Sequence, residues 1–222
     1  MPALQGARLT LPSDSFVTLK GYGRYEIEIK QSRFIGQAIR IGSQKEAEDF
    51  VDSVRREYPD ARHSCYAWIL DGEVHMQKYS DDGEPSGTAG MPILSILTKG
   101  GITNAAIVVT RYFGGILLGK GGLVRAYTDA AAGAVEKASV VRSDKGIVFG
   151  IDMSYEMSEK ILYAVRTNNW EIENIDYSDK VTADILIRAE EESAFGDLMT
   201  DRSSGKIVPY KKGTREILTP LA

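Results

Sequence analysis

The chain has 222 residues, 43% hydrophobic and 26% charged, with a net charge of −4. This composition is typical of a globular protein, and the net charge argues against a protein that coats nucleic acid without specificity. A single cysteine and no CxxC pair exclude a disulfide framework and the usual structural zinc sites. No apolar run reaches the about 18 residues of a membrane helix, and no signal peptide is recognisable. We therefore expect a cytoplasmic protein without membrane contact.

The first 138 residues are predicted to form one domain, with its core over residues 18–138. Ser43 and Glu46 have the spacing of a capping box, and Pro59 marks the end of the helix that follows. In chain order, the apolar pattern predicts two strands (18–29 and 34–41), that helix (43–58), two strands (63–70 and 73–79), a helix (86–99), a buried strand (104–113) and an alanine-rich helix (123–138).

Polar residues 139–146 interrupt this pattern, and we place the domain boundary at Ser139. The remaining segments predict strands at 147–153, 171–177, 181–188 and within 206–218, with helices at 158–167 and 190–200. The resulting order, βαββαβ, is typical of a ferredoxin-like domain. We therefore predict an α+β protein whose second domain spans residues 139–222.

Charge and glycine are unevenly distributed. Residues 85–128 contain no acidic side chain, and ten of the 22 glycines lie between Gly83 and Gly122. Glycine is used where the backbone needs positive φ or where another group approaches closely, so a site is expected in this segment. Chance clustering on solvated faces is the alternative. A second acid-free stretch suggests a further basic surface, formed by Arg202, Lys206, Lys211, Lys212 and Arg215.

Three carboxylates precede the first glycine-rich loop. Asp81, Asp82 and Glu84 could hold Mg²⁺ with water completing the octahedron, or they could cap the following helix at its positive end. We favour capping and predict no resident cofactor. The loop backbone could also bind a phosphate at the helix N-terminus, and the candidate residues are Ser86, Gly87, Thr88 and Gly90.

The second glycine-rich loop spans residues 114–122. Its GxxxxGK spacing is that of a P-loop, but Gly121 replaces the Mg²⁺-binding Ser or Thr and the loop interior is apolar. One alternative is a tight glycine crossing that packs strand against helix. Aromatic rings beside cations instead favour a surface that binds single-stranded nucleic acid by stacking and phosphate contacts. Its candidate residues are Arg111, Tyr112, Phe113, Gly114, Gly115, Lys120, Gly121, Gly122 and Arg125.

His63 and Cys65 lie two apart on a predicted strand and so face the same side. Such a pair could supply a base and a nucleophile. Neighbours on one strand rarely reach that geometry, and a lone cysteine is usually packing. No catalytic residue is predicted, and enzymatic activity is the less favoured hypothesis.

Three segments together resemble the signature of the YigZ/IMPACT family: residues 81–94 (DDGEPSGTAGMPIL), 108–119 (VVTRYFGGILLG) and 121–127 (GGLVRAY). Residues 30–35 and 63–67 also follow the family pattern, so the resemblance covers residues 20–138. Leu117 stands where a lysine is common, and Lys120 where a small hydroxyl residue is common.

The resemblance implies an N-terminal α/β two-layer domain like the second domain of a ribosomal small-subunit protein, shared with domain four of elongation factor G. It also implies a C-terminal ferredoxin-like domain similar to one in the same factor. Eukaryotic relatives regulate translation through an additional N-terminal domain, a role not expected here. For bacterial members, the resemblance suggests a nucleic-acid or ribosome-associated role.

Three functions follow as hypotheses. The first is a non-enzymatic protein that binds RNA or the ribosome, with a role in translation regulation. The second is an enzyme that acts on a phosphorylated small molecule or nucleotide through the two glycine-rich loops. The third is a protein-interaction adaptor.

Overall fold

The computed structural model describes residues 15–221. These residues form two compact units, composed mainly of Phe16–Arg142 and Ser143–Thr219. The boundary predicted at Ser139 lies at the C-cap of the last helix of the first unit. The mixed α/β architecture with two antiparallel sheets confirms the predicted α+β class. None of the described helices is long and apolar enough to cross a membrane.

The first unit is built on a five-stranded antiparallel sheet with the order β2-β3-β6-β4-β5. The central strand β6 is buried along almost its whole length, as its continuous apolar run predicts. The elements are β1 (Phe16–Leu19), β2 (Gly23–Ile29), β3 (Ser32–Arg40), α1 (Gln44–Glu57), β4 (His63–Leu70), β5 (Met76–Ser80), α2 (Gly90–Gly100), β6 (Ala105–Tyr112) and α3 (Gly119–Ala138).

Local sequence explains where several of these elements begin. Ser43 caps α1 by accepting a hydrogen bond from the Glu46 N–H at 3.2 Å, and Glu46 reaches back to the Gly42 N–H at 2.9 Å. Lys30 and Gln31, with φ of 46° and 64°, form a two-residue turn between β2 and β3. Positive φ at both turn residues matches the twist of a hairpin.

Helices cover both faces of this sheet. Val51 and Val54 of α1 pack against Val108 on one face. On the other face α3 lies so close to β3 that a Cβ at Gly36 would be 2.2 Å from the carbonyl oxygen of Ala130. The first unit therefore has helices on both faces of its sheet.

The second unit has the order βαββαβ, which confirms the predicted ferredoxin-like domain. Strand β7 pairs with β9 and β10, and β9 pairs with β8, so the strand order is β10-β7-β9-β8. The elements are β7 (Val140–Met153), α4 (Tyr155–Thr167), β8 (Glu171–Tyr177), β9 (Val181–Arg188), α5 (Glu192–Ser203) and β10 (Tyr210–Pro220), with a single 3-10 turn before α5.

Each unit has a core with one tryptophan. Trp68 packs with Ile41 and Ala106 in the first unit. In the second unit Trp170 meets Phe195 edge to face, with ring centroids 5.0 Å apart. Both indole side chains are buried.

Candidate nucleic-acid and anion-binding site

The loop between β5 and α2 is organised around Asp81. Its carboxylate accepts hydrogen bonds from the backbone N–H groups of Gly87, Ala89 and Gly90 at 2.8–2.9 Å. Burial raises the pKa of the Asp81 carboxyl, but these three donors outweigh it, so the pKa lies below its ordinary value. Asp81 thus caps α2, the role favoured from the sequence.

The phosphate-binding candidates in the same loop already have partners within the protein. The N–H groups of Gly87 and Gly90 donate to the Asp81 carboxylate. The Thr88 hydroxyl donates to the Pro85 carbonyl at 2.6 Å, and Thr88 is buried. Ser86 is exposed, but it stands beside an end of α2 that already has its anion. A phosphate at this position would first have to displace the Asp81 carboxylate.

The other two carboxylates are also held by protein donors. Asp82 accepts from the Ser64 N–H at 2.7 Å and from Arg55 Nη2 at 2.9 Å. Glu84 points into the core. In the described part of the chain, no three His, Cys, Asp or Glu side chains are grouped so that they could hold a metal ion. The arrangement does not support the magnesium interpretation of Asp81, Asp82 and Glu84.

Arg111 is not on the surface where the sequence analysis placed it. Its Nη1 donates to Glu84 Oε1 at 2.6 Å, and the two side chains are 7% and 3% exposed. The Tyr127 hydroxyl donates to the same carboxylate oxygen at 2.9 Å. Cζ of Arg111 lies 5.4 Å from the ring centroids of both Phe34 and Phe113. Arg111 therefore supports the Phe113 ring from inside the domain.

Tyr112 lies on the opposite face of the sheet from Arg111. Successive strand residues alternate between faces, and Tyr112 packs against Tyr58 with ring centroids 6.4 Å apart. The Arg33 guanidinium lies 5.6 Å from the Tyr112 ring. Arg111, Tyr112 and Phe113 therefore do not form one surface, contrary to the expectation from their adjacency.

The exposed part of the predicted surface is the entrance to α3. Phe113 is 44% exposed, and Lys120 and Arg125 are exposed. Neither cation has an acidic partner within residues 15–221. The N-cap of α3, Leu118, makes no side-chain capping bond, and the first turn contains no acidic residue. This helix end therefore keeps its partial positive charge uncompensated.

The glycines before and within α3 serve different purposes. Gly114 crosses β3 so closely that a Cβ would lie 2.0 Å from the Gln31 carbonyl carbon, which agrees with the tight-crossing alternative. Gly115 has φ of 84°. Gly121 faces open space, and a Cβ at Gly122 would meet the Leu118 side chain at 3.1 Å. Of these four glycines, Gly115 and Gly121 have no atom within 4 Å of an added Cβ, so both leave room for a ligand near the backbone.

His63 and Cys65 each hydrogen-bond to a different backbone carbonyl. The Cys65 thiol donates to the Asp81 carbonyl at 2.9 Å and lies 3.4 Å from the Tyr127 hydroxyl oxygen. Burial raises the pKa of the Cys65 thiol to about 12. The His63 Nδ1–H donates to the Asp82 carbonyl at 2.8 Å. The cysteine is a packing residue, as favoured from the sequence.

Sequence reasoning missed Tyr127 and Phe34. Tyr127 is fully buried and meets Phe34 edge to face, with centroids 5.3 Å apart. Together with Glu84 they surround Arg111. A tyrosine on the apolar stripe of an alanine-rich helix was the available signal, because a buried hydroxyl needs a hydrogen-bond partner.

The second basic stretch is largely neutralised by acidic residues of its own unit. Three of its five cations form ion pairs, so the charge of this possible second basic surface is partly neutralised, and its binding role stays a prediction. Acidic residues from β8, β9 and α5, which are distant in sequence, supply the partners. The pairs are Lys211–Glu192 (2.7 Å), Lys212–Asp184 (2.7 Å) and Arg215–Glu173 (2.6 Å); Arg202 and Lys206 are exposed.

The fold and the site agree with comparisons to known proteins. The Impact N-terminal domain matches residues 30–135, and a domain of unknown function (DUF1949) matches residues 151–206. The chain is thus a two-domain α+β protein in which an Impact N-terminal domain precedes a ferredoxin-like domain.

Relatives make the assignment more specific. The chain is 36% identical to the IMPACT family member YvyE of Bacillus subtilis (strain 168), over 86% of this chain and 88% of that protein. It is 37% identical to the IMPACT family member YigZ of Escherichia coli (strain K12), over 81% and 89%. The chain therefore belongs to the IMPACT family. A crystal structure described as that of a hypothetical protein has a TM-score of 0.57 at 32% identity, covering 94% of this chain and 98% of that one.

Proposed function

We propose that this chain is a binding protein for single-stranded RNA, free or on the ribosome, with a role in translation regulation. The contact surface would be the α3 surface, defined here as Phe113, Lys120, Gly121 and Arg125. The observation that carries the proposal is the uncapped, acid-free start of α3 beside an exposed aromatic ring. Single strands are bound by such a combination of stacking ring and phosphate-binding cations.

The ring of Phe113 is suited to stacking a base. Arg111 supports it from inside and is itself anchored by Glu84. A ring fixed before binding loses little conformational freedom when a base stacks on its exposed part. Arg111 would thus act as a positioning residue for Phe113 and make no phosphate contact of its own.

The cations of the α3 surface are available for phosphates. Lys120 and Arg125 are exposed and, among the described residues, have no acidic partner. The positive end of α3 adds to their attraction for anions. A cleft of about 290 Å³ between α2 and α3 extends this acid-free surface, and its lining includes Gly87, Lys99, Val124 and Thr128.

Fluorescence anisotropy with a labelled single-stranded RNA, measured across a salt series, tests the proposal. For single strands, each lost phosphate contact reduces the slope of log Kobs against log salt by about 0.7. The double variant Lys120→Ala/Arg125→Ala should therefore weaken binding and flatten the slope by about 1.4. An unchanged slope would contradict a role for these cations.

Lys137→Ala is the matched control. Lys137 is exposed at the other end of the same helix, about 25 Å from Lys120 at 1.5 Å per residue. The control should bind RNA as the unmodified chain does. If Lys137→Ala weakened binding as much as Lys120→Ala, non-specific attraction of RNA to exposed cations would explain both, and the proposed surface would be wrong.

The hypothesis of an enzyme acting on a phosphorylated small molecule has less support. The anion site that this hypothesis places at the N-terminus of α2 is already occupied by the Asp81 carboxylate. Thermal-shift measurements with nucleotides and Mg²⁺ separate the two functions, because a ligand that binds the folded state raises its melting temperature. A shift with a mononucleotide that exceeds the shift with RNA would favour the enzyme.

A further inference from the structure

Strand β2 lies at the edge of the five-stranded sheet, and within residues 15–221 its one pairing partner is β3. It has seven residues, and its register against β3 is continuous, without a bulge. Residues 24, 25, 26 and 28 are exposed. Natural edge strands are usually shortened, bulged or guarded by lysine or proline, because unpaired backbone groups attract another strand. β2 has no bulge, proline or lysine, and its three charged residues, Arg24, Glu26 and Glu28, are of both signs.

The opposite edge of the same sheet, strand β5, has features that hinder the addition of a further strand. β5 is five residues long and has Lys78 at its centre. Short length and a central lysine are the usual obstacles to strand addition. The two edges therefore differ, and β2 offers the longer strand, without a lysine at its centre.

The free backbone groups of β2 can be assigned from the hairpin. The two-residue turn closes on the pair Ile29 and Ser32, whose backbones bond to each other in a turn of this type. Hydrogen-bonded and non-bonded pairs alternate along an antiparallel ladder. The N–H and C=O groups of Arg24, Glu26 and Glu28 consequently point away from β3, toward the open edge.

The exposed edge is complementary to a second copy of itself. In an antiparallel pairing centred on Glu26, Arg24 stands opposite Glu28 of the partner subunit, and Tyr25 opposite Ile27 of the partner subunit. This register aligns the outward backbone groups of both strands and places two opposite-charge pairs across the interface. The two Glu26 carboxylates meet at the centre, and each is held by Arg24 and Arg33 of its own chain.

A groove beside β2 has room for the side chains that the partner strand would bring. Its volume is about 560 Å³. Paired residues share a face of the sheet, so Tyr25 and Ile27 of the partner subunit would lie over this groove. It is lined by Tyr25, Ile27 and Ile29 of β2 and by Asp129, Ala132, Gly133, Glu136 and Lys137 of α3.

We propose that two copies of this chain associate through β2, by antiparallel pairing centred on Glu26, to form a two-fold symmetric dimer with a continuous ten-stranded sheet. A two-fold interface uses the same patch on both copies and requires that patch to be self-complementary. The charge order of β2 meets this requirement.

Disulfide trapping of the full chain tests the register. At the centre, the two Cα atoms of residue 26 would be about 5.5 Å apart, within the range of about 4.4–6.8 Å that a disulfide spans. Glu26→Cys should therefore give a cross-linked dimer under mild oxidation. Glu28→Cys is the matched control, since its two copies would be about 14 Å apart at about 3.4 Å per residue. The native Cys65 is buried. Cross-linking of Glu28→Cys but not Glu26→Cys, or equal cross-linking of both, would overturn the proposal.

Sedimentation velocity tests the association without a cross-link. The apparent mass should rise with concentration toward twice 24.4 kDa. Glu28→Lys places a cation opposite Arg24 of the partner subunit and should shift the chain to monomer. Arg24→Glu/Glu28→Lys restores opposite charges and should recover the dimer. A chain that stays monomeric at every concentration, or a dimer unaffected by Glu28→Lys, would show that β2 is not the interface.

Discussion

Arg111 and Glu84 form an ion pair of 2.6 Å in the interior of the first unit, and Glu84 also accepts a hydrogen bond from Tyr127. The pair joins the end of β6 to the loop before α2, and Tyr127 adds α3. Three elements are thereby fixed beneath the exposed ring of Phe113. An arginine that the sequence suggested for phosphate binding instead organises the site from within.

Removing one partner of this pair should strongly destabilise the first unit. Glu84→Gln leaves the Arg111 guanidinium buried without a counter-charge, and we expect a loss of about 3–5 kcal/mol. Glu84→Gln/Arg111→Met removes both charges and should cost less than the sum of the single changes. Urea unfolding of Glu84→Gln, Arg111→Met and the double variant measures this. Additive losses would contradict direct coupling.

Phe113→Ala should weaken RNA binding if a base stacks on this ring. Stacking on an aromatic side chain contributes about 1–3 kcal/mol per base, or about 5- to 150-fold in affinity. Phe113→Tyr keeps the stacking ring and should retain binding. Anisotropy with the RNA of the salt series measures both. Equal affinities for the alanine and tyrosine variants would remove Phe113 from the α3 surface.

Asp81→Asn should destabilise α2, because an amide nitrogen cannot accept the Gly87 N–H. We expect a cost of about 1–2 kcal/mol at neutral pH, as for the loss of an N-cap. The folded pKa of Asp81 lies below its ordinary value of 3.8, so the stabilisation is complete above that value and is lost as pH falls through the folded pKa. The stability difference between the two proteins should therefore shrink below pH 3.8. A difference independent of pH would argue against the charged cap.

The Cys65 thiol should be unreactive in the folded protein. Burial raises its pKa to about 12, and the thiolate is the reactive form. A disulfide reagent at pH 8 should label the thiol only after denaturant is added. Rapid stoichiometric labelling of the native chain would show that this region opens readily.

Two glycines of the second loop should respond oppositely to alanine. Gly114→Ala places a methyl group against the Gln31 backbone, 2.0 Å from its carbonyl carbon, and should destabilise the protein or displace the loop. Gly121→Ala meets open space inside α3 and should stabilise it by about 1 kcal/mol. Thermal unfolding compares them. Similar melting temperatures for the two variants would contradict the close crossing.

The sequence predicted the elements well and the site only in part. The apolar run of β6 and the cap at Ser43 are local signals, so they could be identified directly. Strand alternation could also have separated Arg111 from Tyr112, since it places neighbours on opposite faces. The Arg111–Glu84 pair could not be foreseen, because it forms only when β6 and the loop before α2 pack together.

Contacts between distant segments account for the remaining differences. The acid-free stretch from residue 202 onward suggested a second basic surface, yet Lys212 pairs with Asp184 and Arg215 with Glu173 on other strands. A local count of charges does not detect partners supplied by strands that are distant in the sequence.

The placement of the two tryptophans gives each unit its own fluorescent reporter. Trp68 is buried in the first unit and Trp170 in the second, and the chain contains no other tryptophan. In Trp68→Phe, the remaining tryptophan emission comes from Trp170 and reports only on the ferredoxin-like unit. In Trp170→Phe, the emission comes from Trp68 and reports only on the unit that carries the α3 surface. The unfolding of each can thus be followed by its own spectrum within the intact chain.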